Sequence, residues 1–205
     1  MKIGIDLDNT IISYDKLLYK LAVENNYISP DTRINKKAIR DIIRKLPEGE
    51  IKWQKLQALM YGPMMEGAEL INGVSDFLKF CMNKKIKANV ISHKTEYANY
   101  DTTGTNLRIT AMDWMEKHDF FNTNSFGLSK TDIFFETTRK EKIERIIKQR
   151  CTHFIDDLEE TFLEPIFPIN VKKILFANFN STSVSSITVC NTWKEIKLNF
   201  ERYHS

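Results

Sequence analysis

Met1-Lys2-Ile3-Gly4-Ile5-Asp6-Leu7-Asp8-Asn9-Thr10 opens the chain, and its apolar run reads directly into a strand and not into a signal peptide. The strand expected over Lys2–Leu7 runs out into two carboxylates two residues apart, Asp6 and Asp8. At that spacing both side chains can point into the same mouth. Taken alone, the pattern D-x-D-x-T also fits an Asx-type turn with solvated acids. The rest of the chain separates the two readings.

Further short β-branched runs occupy Lys87–Ile91, Thr152–Ile155, Lys172–Phe176 and Ser186–Cys190. Helical apolar spacing recurs between them, at Val74, Phe77, Leu78 and Cys81 and again at Ile143, Ile146 and Ile147. Strands alternating with helices predict an α/β fold, a parallel sheet with helices on both faces. In such sheets ligands gather at the carboxyl ends of the strands. From about Tyr14 to Glu66 the alternation breaks, and helices are expected at Tyr14–Asn25, Lys36–Lys45 and Ile51–Met60. Ser29-Pro30-Asp31, Pro47-Glu48-Gly49 and Gly62-Pro63 supply the breaks. A small all-helical insertion (14–66) into a core of 1–13 and 67–205 is the expected organisation. Placed directly after the first strand, it would lie over the strand ends like a lid; the alternative is a run of surface helices in one continuous domain.

Composition narrows the function classes. The 205 residues are 42% hydrophobic and 28% charged, enough apolar material for a real core. Thirty basic against 27 acidic residues leave a net charge of only +3, which argues against a partner bound mainly through nucleic-acid phosphates. No apolar run approaches a bilayer span, so no membrane partner is expected. Cys81, Cys151 and Cys190 are odd in number and widely spaced. They fit neither a disulfide framework nor a zinc knuckle, and point to a reducing, cytoplasmic setting.

Each expected strand end carries chemistry. Lys87–Ile91 delivers Ser92-His93-Lys94-Thr95, and a small hydroxyl there can cap a helix or meet a phosphate oxygen. The run His153-Phe154-Ile155 ends in Asp156-Asp157, adjacent acids that repel one another and whose pairing offers folding nothing obvious, unless they are a capping Asp with a solvated neighbour. A divalent cation such as Mg²⁺, which takes hard oxygen ligands, would remove that repulsion. Lys142 precedes Ile143, Ile146 and Ile147 directly and stands at the start of the helix leading to Asp156. Its ammonium could offset part of the charge of four carboxylates or hold a phosphate as a point charge. Lys140 is a close competitor two residues away, and the rest of Arg139–Arg145 reads as a solvated helix face.

The ordered set Asp6–Thr10, Ser92, Lys142 and Asp156-Asp157, each beside a strand end, resembles the haloacid dehalogenase superfamily of aspartate-nucleophile phosphotransferases. The resemblance covers nearly the whole chain and implies a Rossmann-like core. The insertion is similar in place and size to the family's first type of helical cap. It further implies that Asp6 attacks a phosphate monoester to form an aspartyl-phosphate, which water then hydrolyses. Asp8 would protonate the leaving alcohol and then deprotonate the water. Ser92 and Lys142 would bind the phosphoryl oxygens. Mg²⁺ would be held by Asp6, the backbone carbonyl of Asp8, and Asp156, with Asp157 close by or acting through water. Thr10 would secure the first loop by a backbone hydrogen bond. Carbon–halogen cleaving relatives usually lack the second Asp, so Asp8 favours phosphoester chemistry.

The expected substrate is a small phosphorylated metabolite, a sugar phosphate or nucleotide. The alternatives are nucleic-acid or polysaccharide-precursor ends, or a non-catalytic phosphate sensor that retains the pocket. Glu96–Asn106, rich in Thr, Tyr, Gly and Asn, is longer than many relatives carry and reads as a specificity loop. His93, His118, His153 and His204 show no metal spacing. Trp53 and Tyr61, aromatics at helical spacing on the insertion, read as core before binding site, while Trp114 and Phe120-Phe121 read as packing for a helix over the sheet.

Overall fold

The computed structural model describes residues 1–177 and 185–202; His204 lies outside them. In chain order the elements are β1 (Lys2–Ile5), β2 (Ile12–Ser13), α1 (Asp15–Glu24), α2 (Lys36–Ile43), α3 (Gly49–Tyr61), β3 (Glu69–Leu70), α4 (Val74–Asn83), β4 (Lys87–His93), α5 (Leu107–Lys117), β5 (Ile133–Glu136), α6 (Arg139–Lys148), β6 (His153–Asp156), α7 (Glu159–Leu163), β7 (Lys172–Phe176), β8 (Ile187–Cys190) and α8 (Trp193–Glu201). Two compact units result. One comprises Met1–Ile11, Leu70–Lys94 and the described residues from Glu116 onward; the other comprises Ile12–Glu69 and Thr95–Met115.

The first unit is built on a six-stranded sheet in the order β5-β4-β1-β6-β7-β8, with every adjacent pair parallel. The chain builds outward from β1 through β4 to β5, then returns to the other side of β1 for β6, β7 and β8. That reversal places a switch point at the carboxyl ends of β4, β1 and β6. Alternation along β6 sends its side chains to opposite faces. Phe154 packs with Ile143 and Ile146 of α6 and with Phe162, Phe167 and Leu175. His153 faces the other layer, where its ring lies 4.9 Å from Phe200 of α8, and Phe77 of α4 lies 5.1 Å from Trp193. Gly4 of β1 is required by this packing. A Cβ there would stand 2.6 Å from the Phe154 ring and 3.1 Å from the Cys151 sulfur.

β5 is the element that the sequence reading does not anticipate. Ile133-Phe134-Phe135-Glu136 is only four residues long and half-buried throughout, as an edge strand is, so its apolar signal is short. Arg145 of α6 covers it, stacking on Phe134 and donating to Glu136 at 2.6 Å.

In the second unit α1, α2 and α3 pack on one another through Leu17, Leu18 and Leu21, Ile39 and Ile43, and Trp53, Leu56 and Met60. Asn35 caps α2, accepting from the Ala38 N–H at 2.9 Å. Trp53 is core, while Tyr61 accepts from Lys36 and sets its ring edge-on to Tyr14. The segment Thr95–Met115 belongs to this unit. Trp114 donates its indole N–H to the Ala68 carbonyl and is buried. Phe120, in the first unit, is buried against Phe126.

Candidate active site

Three neighbouring strands supply the site. The Asp6 N–H donates to the Ile155 carbonyl at 2.9 Å, so the register of β1 with β6 holds through the first carboxylate. Asn9 then takes a left-handed conformation (φ 63°), which short polar side chains tolerate, and the chain turns back. Thr10 does more than secure its own loop. Its Oγ1 accepts the Asp157 N–H at 3.1 Å and lies 3.4 Å from both Asp6 Oδ2 and Asp157 Oδ1, joining the ends of β1 and β6. The Thr10 carbonyl accepts from the buried Trp193 indole at 2.9 Å.

Lys142 reaches this point because α6 begins where it does. Thr138 caps α6 in a reciprocal capping box, its hydroxyl accepting the Glu141 N–H and the Glu141 carboxylate accepting the Thr138 N–H. One residue further on, Lys142 lies buried with its Nζ donating to Asp6 Oδ1 and Asp156 Oδ2, each at 2.7 Å. Lys140 points to solvent, 74% exposed, with Glu144 as its partner. The geometry thus brings Lys142, and not Lys140, to the carboxylates.

Asp156 is fully buried, and its other oxygen accepts the Leu158 N–H at 3.0 Å. The expectation that the acid pair gains nothing from folding is therefore corrected for Asp156, which holds both an ammonium and a backbone donor. One ligand oxygen from each of Asp6, Asp156 and Asp157 lies within 4.8 Å of the others. Three hard oxygen donors at that spacing suit a divalent cation such as Mg²⁺. No histidine belongs to this group among the described residues.

Asp8 stands apart from that trio, and here lies the residue that the sequence reading missed. The buried Lys94 ammonium sits 2.9 Å from Asp8 Oδ2. Lys94 follows Ser92 by two, and its N–H donates to the Glu136 carbonyl at 2.8 Å, prolonging the pairing of β4 with β5. The period-two rule therefore puts Lys94 on the same side as Ser92, a signal readable once the strand is extended past Ile91. Four carboxylates are balanced by two ammoniums, not one, which leaves two negative charges when all are ionised.

Burial raises the Asp6 carboxyl to about 7, and the charges of Asp156 and Asp8 add to the rise against the pull of Lys142. Burial disfavours the Lys142 charge, yet Asp156 and Asp6 outweigh it and hold the ammonium above its ordinary range. Ser92 is buried, and its hydroxyl makes no hydrogen bond among the described residues. His93 points away to the Thr137 carbonyl, 2.8 Å from its Nε2, and burial lowers its pKa.

No family model matches the chain. No curated protein matches it in sequence. Solved structures do match it over nearly its whole length. A HAD-superfamily hydrolase of subfamily IA from Geobacter sulfurreducens superposes with a TM-score of 0.57 at 11% identity, covering 97% of this chain and 95% of its own. A haloacid dehalogenase-like hydrolase from Xanthomonas campestris gives 0.55 at 12% identity, over 98% and 95%. An archaeal β-phosphoglucomutase from a Pyrococcus species gives 0.51 at 12% identity, over 98% and 96%. The chain has the fold of these haloacid dehalogenase-like hydrolases.

Proposed function

We propose that this protein is a Mg²⁺-dependent phosphomonoester hydrolase working through an aspartyl-phosphate. The observation that carries the reading is the Lys142 ammonium held 2.7 Å from both Asp6 and Asp156, at the ends of two adjacent strands and on the same rim as the unengaged Ser92 hydroxyl. Asp6 is the nucleophile: its carboxylate forms a bond to phosphorus as the ester P–O bond breaks. Asp8 supplies the proton that the leaving alkoxide needs and removes one from the water that attacks next. Ser92 donates to a phosphoryl oxygen, and Lys142 holds another while keeping Asp6 oriented. Asp6, Asp156 and Asp157 would hold the metal through side-chain oxygens, together with the Asp8 carbonyl, and the cation would supply positive charge to offset that of nucleophile and phosphate.

The substrate class in this reading is a small phosphorylated metabolite such as a sugar phosphate or a nucleotide. Phosphoryl chemistry on this fold has support in the β-phosphoglucomutase neighbour. Three buried free thiols, and no described helix long and apolar enough to cross a membrane, accord with a cytoplasmic enzyme. The test is direct. Purified protein hydrolyses an aryl phosphate with Mg²⁺ and stops in EDTA, while Asp6→Asn keeps the fold and loses turnover. Undiminished hydrolysis by Asp6→Asn overturns the nucleophile, and a screen of phosphorylated metabolites then identifies the preferred leaving group.

A further inference from the structure

Lys94 has no part in the scheme above, yet it is among the most deeply buried charges in the chain. Its backbone is tied to β5 through the Glu136 carbonyl, and its side chain is 3% exposed against 18% for Asp8. Taking an ammonium out of water is costly, and a buried ion pair is a poor device for stability alone. The two buried ammoniums also divide the acids between them. Lys142 takes Asp6 and Asp156, which belong to the oxygen trio; Lys94 takes Asp8, which does not. Asp8 is only two residues from Asp6 and belongs to the same loop at the end of β1.

We propose that Lys94 is a positioning residue that holds the Asp8 carboxylate out of the cation-binding group and so reserves it for proton transfer. The proposal rests on the phosphatase reading for the purpose of the reservation, but its central claim concerns cation binding and is measurable without turnover. Without Lys94, Asp8 is released to join Asp6, Asp156 and Asp157 as a fourth carboxylate ligand. The cation is then bound more tightly while the acid–base group is lost. A residue that merely neutralises charge would also tighten cation binding when removed, but would do so whether or not Asp8 has a carboxylate. A residue that grips the substrate phosphate would raise KM.

Calorimetric titration with Mg²⁺ alone, on wild type, Lys94→Met, Asp8→Asn and the double variant, separates these roles. Lys94→Met is expected to bind Mg²⁺ about tenfold more tightly, within the range by which outer partners tune metal sites. In the Asp8→Asn background the same change is expected to give a much smaller gain, because the ammonium's charge is lost but no carboxylate is released. Where Lys94→Met is unstable, the double variant, which loses both members of the pair, is compared with Asp8→Asn, and a tenfold gain in that comparison overturns the proposal. Equal tightening in both backgrounds overturns the positioning role in favour of bulk charge. With an aryl phosphate, Lys94→Met is expected to lower kcat with KM little changed, and Lys94→Arg to recover part of kcat. A rise in KM at constant kcat overturns the proposal. Should wild type hydrolyse no phosphate ester, the phosphatase reading fails, while the Mg²⁺ titrations still decide the placement of Asp8.

Discussion

Lys142 and Lys140 differ by two positions and by nearly every physical property that matters. One is enclosed by two carboxylates, and the other stands in solvent beside Glu144. Lys142→Ala is expected to lower kcat/KM about 10²–10³-fold, the scale of one lost oxyanion donor, whereas Lys140→Ala stays near wild type. Steady-state kinetics on an aryl phosphate checks both, and the reverse pattern would transfer the role. His153 offers a test that involves no chemistry. Burial, aided by the Lys172 and N-terminal charges, lowers its pKa from 6.5 to about 4. Between those values the unfolded chain takes up a proton that the folded protein refuses. Stability attributable to the neutral ring is therefore full above pH 6.5 and is lost as the pH falls toward 4. Urea titrations from pH 7 to pH 4 should show a smaller loss for His153→Phe than for wild type. Asp6, shifted upward, works in the opposite direction, so the difference between the two proteins is the informative quantity.

β1 illustrates how an element can serve the site through what it omits. Ile3 and Ile5 are fully buried, and between them Gly4 leaves room for the Phe154 ring that backs β6. A methyl at Gly4 would displace Phe154 against Ile143 and Ile146, the same apolar face from which α6 presents Lys142. Gly4→Ala is expected to destabilise by about 1–3 kcal/mol, as overpacking in a filled core does. A lower urea midpoint at unchanged slope would show it, and an unchanged midpoint would mean that the ring moves freely. The α6 capping box acts at the same level. It sets where the helix starts and hence which of two neighbouring lysines turns inward.

Across the whole molecule, four site carboxylates against two ammoniums leave a charge deficit that a divalent cation matches. Mg²⁺ at tenfold excess over its dissociation constant should stabilise the folded state by about 1.4 kcal/mol. For a chain of this length that is a rise of about 3–6 °C in Tm. Asp156→Asn should abolish most of this response. Because Asp156 is a hydrogen-bonded partner of buried Lys142, the variant should also melt below wild type in the absence of metal. Equal Mg²⁺ shifts in the two proteins would show that Asp156 is not a ligand.

The parallel α/β core was legible from short apolar runs and their alternation with helical spacing, because those signals are local. Five of the six sheet strands and the three helices of the insertion follow from such patterns, and Asp6, Ser92, Lys142 and Asp156 stand out by their places beside the strand ends. β5 was not legible, since a half-buried edge strand of four residues carries too little apolar contrast. Nor was the allegiance of Thr95–Met115 to the second unit, which depends on packing remote in sequence, as Trp114 on Ala68 illustrates. At the site, residue types fixed which groups could react, but not how they share charge. Lys94 reads as one more polar residue after a strand until the strand is folded beside β1. Only there does its ammonium meet Asp8, while Lys142 spans the 136 residues to Asp6. Ion pairs between distant positions leave no periodicity in a sequence, because the distance that creates them exists only after the chain has folded.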